Sequence, residues 1–224
     1  MVEYKLKIFN EKKIESNNSQ NVIGIDIGGT NTNIGISSLK DKKINPIFSF
    51  NFKTEKIKSI IPLINKTTTY AKDKYDINVD LACIAAAGVV LDEKDRVKLT
   101  NSSLEINLNE IKKNTSLNDI YIINDFQAIG YGINLLDHNN EKDMRIIKNN
   151  NLKKHKNFST KAIIGAGTGL GKGILIYNQE LDYYTPIPSE GGHSDFPYQN
   201  DFEKKIVNYI KNKRNITQPL PYEE

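Results

Sequence analysis

Ile122-Ile123-Asn124-Asp125-Phe126 is the stretch whose reading decides the fold. It closes a short apolar run over 119–123 with a polar Asn-Asp pair, and a helix-forming segment over 127–136 follows at once. An apolar run stopped this way reads as a strand buried on both faces. The Asn-Asp pair then stands where such a strand meets a crevice. Outward from it the pattern recurs. Residues 80–87 are another continuous apolar run, bounded by Gly88, and residues 21–26 are a β-branched run that ends in Gly28-Gly29.

The segments between these runs give the organisation. Short strands over 32–37 and 44–52 follow 21–26 through tight turns, which predicts an antiparallel opening meander. Ile57, Ile60, Ile61, Leu63, Ile64, Tyr70 and Ala71 give helical spacing over 55–75, interrupted by Pro62. Leu104, Ile106, Leu108 and Ile111 predict a short amphipathic helix over 104–113. Residues 137–160 are polar and rich in Asn and Lys, an exposed connection. Beyond it, strands over 161–164 and 173–177 flank a glycine loop. A last helix over 201–213 carries Phe202, Ile206, Tyr209 and Ile210 on one face. Strands, then alternating helix and strand, then strands again predict an α/β protein with a mixed sheet. The boundaries read as an N-terminal extension over 1–20 (a leader or a frayed first strand), a first lobe over 21–125 and a second over 126–224.

Composition narrows the function classes. With 38% hydrophobic and 26% charged residues among 224, the chain reads as an ordinary globular protein. Its net charge of +4 is well mixed, and the Lys-rich clusters at 40–43, 153–156 and 211–214 read as solvated loops, not a nucleic-acid face. A single cysteine, Cys83, lies in an apolar run and reads as a buried thiol, which suits a reducing compartment. No apolar stretch approaches membrane-span length, and residues 1–20 lack a signal-peptide core. These features predict a cytoplasmic protein with no membrane and no nucleic-acid partner.

Four segments carry chemistry. In Asp26-Ile27-Gly28-Gly29-Thr30-Asn31 the glycines allow a tight turn that presents N–H groups to an anion. Thr30 and Asn31 can donate to phosphate oxygens, and Asp26 can hold a magnesium-bound water; a plain hairpin turn is the alternative. Gly165, Gly167, Gly169 and Gly171 alternate with Ala166, Thr168 and Leu170. This is neither a dinucleotide fingerprint nor a Walker A loop. It suits a loop pressed against a ligand, or a flexible β-turn. Asp125 can accept the proton of a hydroxyl attacking a phosphoryl group, or it can cap the helix that follows. Glu190-Gly191-Gly192-His193 offers an acceptor and a donor on one turn, suited to neighbouring sugar hydroxyls.

Taken with Thr100-Asn101-Ser102, these segments resemble, in order and over nearly the whole chain, the bacterial-type glucokinases. The resemblance implies an actin-like/ribonuclease H-like sugar kinase fold with mixed sheets and two lobes. It implies ATP and Mg²⁺ as cofactors, glucose as substrate and transfer of the γ-phosphate to its 6-hydroxyl, with a homodimer as the family-based assembly. Asp125 falls on the catalytic base. Asn101, Asn124, Asp125, Glu190, His193 and Glu223 fall on sugar-binding positions. Asp26, Gly28, Gly29, Thr30, Asn31, Gly165, Gly167, Thr168 and Gly169 fall on the two phosphate motifs, with Asp26 also the metal position. The sequence departs from the pattern at Leu104, where an aromatic is usual, and it shows no later adenosine-binding glycine motif. Family members run on well past this length, so the second lobe is expected to be incomplete, with uncovered apolar faces on its strands. A non-catalytic glucose-binding relative, or a kinase of another hexose, is the alternative.

Overall fold

A computed structural model describes residues 2–10, 19–40, 43–86, 88–90, 96–99, 104–137, 140–141, 143–145, 158–167, 169–189 and 191–222, with the side chains of 88–90, 96–99 and 105 left aside. The chain divides into two compact units, Met1–Ala128 and Ile129–Glu224.

The first unit contains β1 (Tyr4–Ile8), β2 (Gln20–Ile27), β3 (Asn31–Lys40), β4 (Lys43–Lys53), α1 (Ile61–Tyr75) and β5 (Leu81–Ala86). β6 (Gly88–Val90), β7 (Arg96–Leu99), β8 (Glu105–Asn107), α2 (Leu108–Asn114), β9 (Asp119–Asn124) and the start of α3 (Asp125–Gly132) follow. Six strands form one sheet in the order β1-β4-β3-β2-β5-β9. The β1, β4, β3 and β2 neighbours pair antiparallel, whereas β2, β5 and β9 run parallel. β6, β7 and β8 make a second, three-stranded sheet.

Period-two patterning explains the large sheet. Ile23, Ile25, Ile27, Ile34, Ile36, Phe48, Phe50 and Phe52 alternate along β2, β3 and β4 and are all buried on one face. α1 closes that face with Leu63, Ile64, Thr67, Ala71 and Tyr75. Tyr70 packs edge-on against Phe48 and Phe50 at centroid distances of 4.8 and 5.3 Å. The opposite face of β2, β3 and β4 carries Gly24, Asp26, Asn33, Gly35, Ser49 and Asn51, and none of these is buried.

Three sequence expectations are corrected here. Pro62 does not interrupt the helix over 55–75; it occupies the first turn, where its missing N–H costs nothing, and α1 starts at Ile61. Residues 104–107 are not helical. Leu104, Ile106 and Leu108 alternate inward, β8 spans Glu105–Asn107 between the outer two, and Asn107 Oδ1 accepts the Glu110 N–H at 3.2 Å to start α2. Cys83 is half-buried on the open face of the sheet; partial burial there pushes its thiol pKa up.

The second unit holds the rest of α3, β10 (Lys161–Ala166), β11 (Leu170–Asn178), β12 (Tyr183–Ile187) and α4 (Asp201–Arg214). β10, β11 and β12 form an antiparallel sheet. No strand was anticipated over 183–187; β12 is an edge strand among the described residues, and Pro186 is tolerated there. One face of this sheet is covered. Leu175 is 0% exposed, and a Cβ built on Gly130 would lie 2.6 Å from Pro186 Cβ and 3.0 Å from Leu175 Cδ2. Glycine at 130 is thus what lets α3 approach the sheet so closely. Asn134 also ties in β12: its Nδ2 donates to Tyr184 O at 2.9 Å, and its Oδ1 accepts from Tyr184 N at 2.8 Å.

The other face of the sheet carries Ile164, Ile174, Ile176 and Ile187 in the open, with Ile164 71% exposed. The anticipated apolar face of α4 is open too. Val207 is its one buried residue, and Phe202 is 72% exposed.

Candidate functional site

In the first unit the parallel strands end level with one another. The register places Ile27 beside Ala86 and Ala86 beside Asn124. Neighbouring strands lie about 4.8 Å apart, so the Gly28–Asn31 loop and the Asn124-Asp125 pair leave the same edge roughly 10 Å apart. This is the carboxyl edge of the parallel strands, where open α/β sheets hold ligands.

Asn124 caps α3. Its Oδ1 accepts from the N–H groups of Phe126 at 2.9 Å and Gln127 at 3.2 Å, which leaves its Nδ2 as a donor. Asp125 Oδ1 accepts from the Phe126 N–H at 2.8 Å, and among the described residues its Oδ2 has no donor. The capping alternative therefore falls mainly on Asn124. One carboxylate oxygen of Asp125 stays available to a hydroxyl.

On the adjacent loop, Gly28 N donates to Asn31 O at 3.0 Å. Asp26, Asn33 and Asn51 lie opposite one another on β2, β3 and β4. Asn33 Nδ2 donates to Asp26 Oδ2 at 3.1 Å, and Asn51 Nδ2 donates to Asn33 Oδ1 at 2.8 Å. This row of amides fixes one carboxylate oxygen of Asp26. Behind the loop, the Thr54 hydroxyl donates to Gly28 O at 2.7 Å. Among the described residues no group of three or more His, Cys, Asp or Glu could hold a metal ion.

The second unit has two turns of its own that bear predicted site residues. Gly165 faces Gly171 in the register of β10 and β11, and Gly167 N donates to Gly169 O at 2.8 Å, so the glycine comb is a tight hairpin. Among the described residues a Cβ at Gly167 would meet only Gly169 O, at 4.0 Å. Packing among the described residues does not demand glycine there, and the bare backbone leaves room for a close ligand.

Gly191–His193 forms a 3-10 turn, with Gly191 N donating to Ser189 Oγ at 3.1 Å and His193 exposed. The residues after it pair with the last described ones. Phe196 N donates to Leu220 O at 2.7 Å, and Tyr222 N donates to Ser194 O at 3.0 Å. Lys172 Nζ sits 3.9 Å from the centroid of the Tyr222 ring. The His193 loop and the segment leading to Glu223 are thereby held side by side. Asn101, Thr168, Glu190 and Glu223 themselves lie outside the described residues.

Sequence reading missed Thr32, Asn33, Asn51, Thr54 and Lys172. Asn33 and Asn51 alternate with buried apolar residues and so look like ordinary outward positions. Thr54 meets Gly28 across 26 residues of sequence, a contact no local pattern signals.

A model of the glucokinase family matches residues 23–219. The glucokinase of Nostoc punctiforme is 31% identical over 192 residues, which cover 85% of this chain and 52% of that protein. The glucokinase of Colwellia psychrerythraea is 32% identical over 200 residues, covering 89% and 55%. Among solved structures, the glucokinase of Balamuthia mandrillaris in complex with glucose superposes with a TM-score of 0.72 at 20% identity, over 94% of this chain and 60% of that one. A glucokinase from an Antarctic psychrotroph gives 0.67 at 24% identity, over 91% and 59%. The fold is thus that of the actin-like sugar kinases, and the chain spans about half the length of the curated relatives it matches.

Proposed function

Since the chain belongs to the glucokinase family, we propose that it carries the sugar- and phosphate-handling portion of an ATP-dependent kinase that phosphorylates the 6-hydroxyl of glucose. One observation carries the reading: Asp125 and the Gly28–Asn31 loop leave the same edge of one sheet from strands in level register. A hydroxyl held at Asp125 and a phosphate held on that loop are then within one substrate's reach.

In this reading Asp125 Oδ2 accepts the proton of O6 as that oxygen attacks the γ-phosphorus. Asn124 offers its Nδ2 to a sugar oxygen. Asn101, Glu190, His193 and Glu223 take the remaining hydroxyls. The Gly28–Asn31 loop and the Gly165–Gly169 hairpin, with Thr168 on it, turn N–H groups toward the phosphates.

The residues present fit magnesium. This ion is commonly held by one or two carboxylates together with waters and substrate phosphates, so the lack of a multi-carboxylate cluster among the described residues agrees with it. Asp26 would hold it through water, with Asn33 fixing the carboxylate. When bound, the ion neutralises phosphate charge. Cytoplasmic placement and a homodimer belong to the same reading; no helix among the described residues is long and apolar enough to cross a membrane.

The test is calorimetric titration with glucose and then with ATP·Mg plus glucose, on the natural chain and on Asp125→Asn. Glucose should bind both proteins within about tenfold, because a general base acts mainly in the transition state. Phosphorylation should appear only with Asp125. Equal loss of sugar binding and of turnover in Asp125→Asn would remove the base assignment.

The apolar face of β10, β11 and β12, open among the described residues, favours a second reading, a glucose-binding protein without phosphoryl transfer. Glucose binding with no coupling to ATP·Mg would select it.

A further inference from the structure

We propose that Thr54, backed by Thr32, is a positioning residue that aims the Gly29 N–H of the Gly28–Asn31 loop at the nucleotide phosphates. The inference rests on the kinase reading above and adds a residue to it. Thr54 begins the 3-10 turn after β4 and is 2% exposed; Thr32 is 0% exposed. Their hydroxyl oxygens lie 3.0 Å apart, and Thr54 Oγ1 is 2.7 Å from Gly28 O.

Counting protons fixes the direction. A carbonyl only accepts, so the single Thr54 hydroxyl proton goes to Gly28 O, and the Thr32 hydroxyl must donate to Thr54. The backbone N–H of Thr54 takes a second loop carbonyl, Thr30 O, at 3.1 Å. One residue thereby turns two loop carbonyls inward.

The peptide bonds are all trans among the described residues. In a planar trans peptide the C=O and the following N–H point in opposite directions. Holding Gly28 O and Thr30 O inward therefore turns the N–H groups of Gly29 and Asn31 away from Thr54. Asn31 belongs to the extended β3 and its O accepts Gly28 N, so its N–H turns back across the hairpin, and Gly29 N–H is the donor left to an anion. Gly28 N, bonded to Asn31 O at 3.0 Å, holds the loop closed. The clamp is distinct from the Asn51–Asn33–Asp26 row, which holds a side chain and no loop carbonyl.

The experiment compares the natural chain with Thr54→Val, Thr54→Ser and Thr32→Val. It reads amide hydrogen exchange residue by residue, and Mg·ADP and glucose affinity by calorimetry. Valine keeps the volume and the backbone N–H, and removes only the hydroxyl. Thr54→Val should speed exchange at Gly28, whose N–H is the bonded one in the loop, tenfold or more and weaken Mg·ADP tenfold. Exchange at Ile25 and Ile34 and glucose affinity should stay within twofold. Thr54→Ser should restore both readouts, and Thr32→Val should fall between.

A merely structural role predicts another pattern: faster exchange throughout β2, β3 and β4, with both ligands weakened alike. That pattern, or loop exchange and Mg·ADP affinity unchanged in Thr54→Val, overturns the proposal. A natural chain that binds no Mg·ADP, yet shows the loop-confined exchange response, overturns the kinase reading and the phosphate target while the clamp on the loop carbonyls stands.

Discussion

Two strands with similar letters end in opposite circumstances. Residues 22–27 of β2 read Val-Ile-Gly-Ile-Asp-Ile, and residues 171–176 of β11 read Gly-Lys-Gly-Ile-Leu-Ile. In β2 every isoleucine points into a closed core, and Gly24 and Asp26 take the open side. In β11 Leu175 alone enters a core, while Ile174 and Ile176 stand in the open on the reverse face. The first strand carries one apolar face and has one layer against it. The second carries two and, among the described residues, has one layer against it. Apolar lettering thus states how many layers a strand is made for, not which segment supplies them.

The largest expected effect tests the closed sheet. Phe50→Ala removes a side chain packed on Tyr4, Phe48, Phe52 and Tyr70. It should cost about 4 kcal/mol in denaturant unfolding, against about 2 kcal/mol for Leu175→Ala, whose thinner surroundings can collapse into the gap. Equal costs would mean that the open face of the second sheet does not loosen its core.

Gly130→Ala comes next. The added methyl would sit 2.6 Å from Pro186 Cβ, and overpacking of that kind should lower stability by roughly 2 kcal/mol. A neutral result would show that α3 lies less firmly on β11 and β12 than Asn134 suggests.

Caps give a like-for-like measure across the two units. Asn107→Ala and Asn200→Ala each remove a side-chain acceptor for an N3 amide, Glu110 N at 3.2 Å and Glu203 N at 2.9 Å. Each should cost about 1 kcal/mol. A much smaller loss for Asn200 would mark α4, with its open face, as the more loosely held helix.

The smallest effect belongs to Ile164→Ser, which should change unfolding free energy by less than about 0.5 kcal/mol while reducing binding of an apolar dye. A loss of several times that size would mean the face is covered in solution, and the contrast between the sheets would disappear.

Much of the first unit was legible because its patterns are local. Alternation in β2, β3 and β4 and the level apolar runs of β5 and β9 give the mixed sheet. The Asn124-Asp125 boundary gives its carboxyl edge. Legibility failed where two patterns share residues. Leu104, Ile106, Leu108 and Ile111 satisfy a strand for three positions and a helix for the last two, and the cap at Asn107 decides between them. Pro62 failed for a related reason, since a proline breaks the middle of a helix but is well placed at its start. At the site, glycines and carboxylates announced themselves through their types. The threonines and asparagines that hold them did not, because their roles arise from pairing across strands distant in sequence.

The bond from Asn134 to β12 has a consequence for association. On an edge strand, alternate residues turn both backbone groups outward, where another strand could add. At Tyr184 both groups are already taken by the Asn134 amide, and two residues on Pro186 has no N–H to offer. In-register strand addition along that edge is blocked at successive outward positions. Self-association of the second unit into a continuous β-ribbon through β12 is therefore disfavoured, even with an apolar surface exposed on the same sheet.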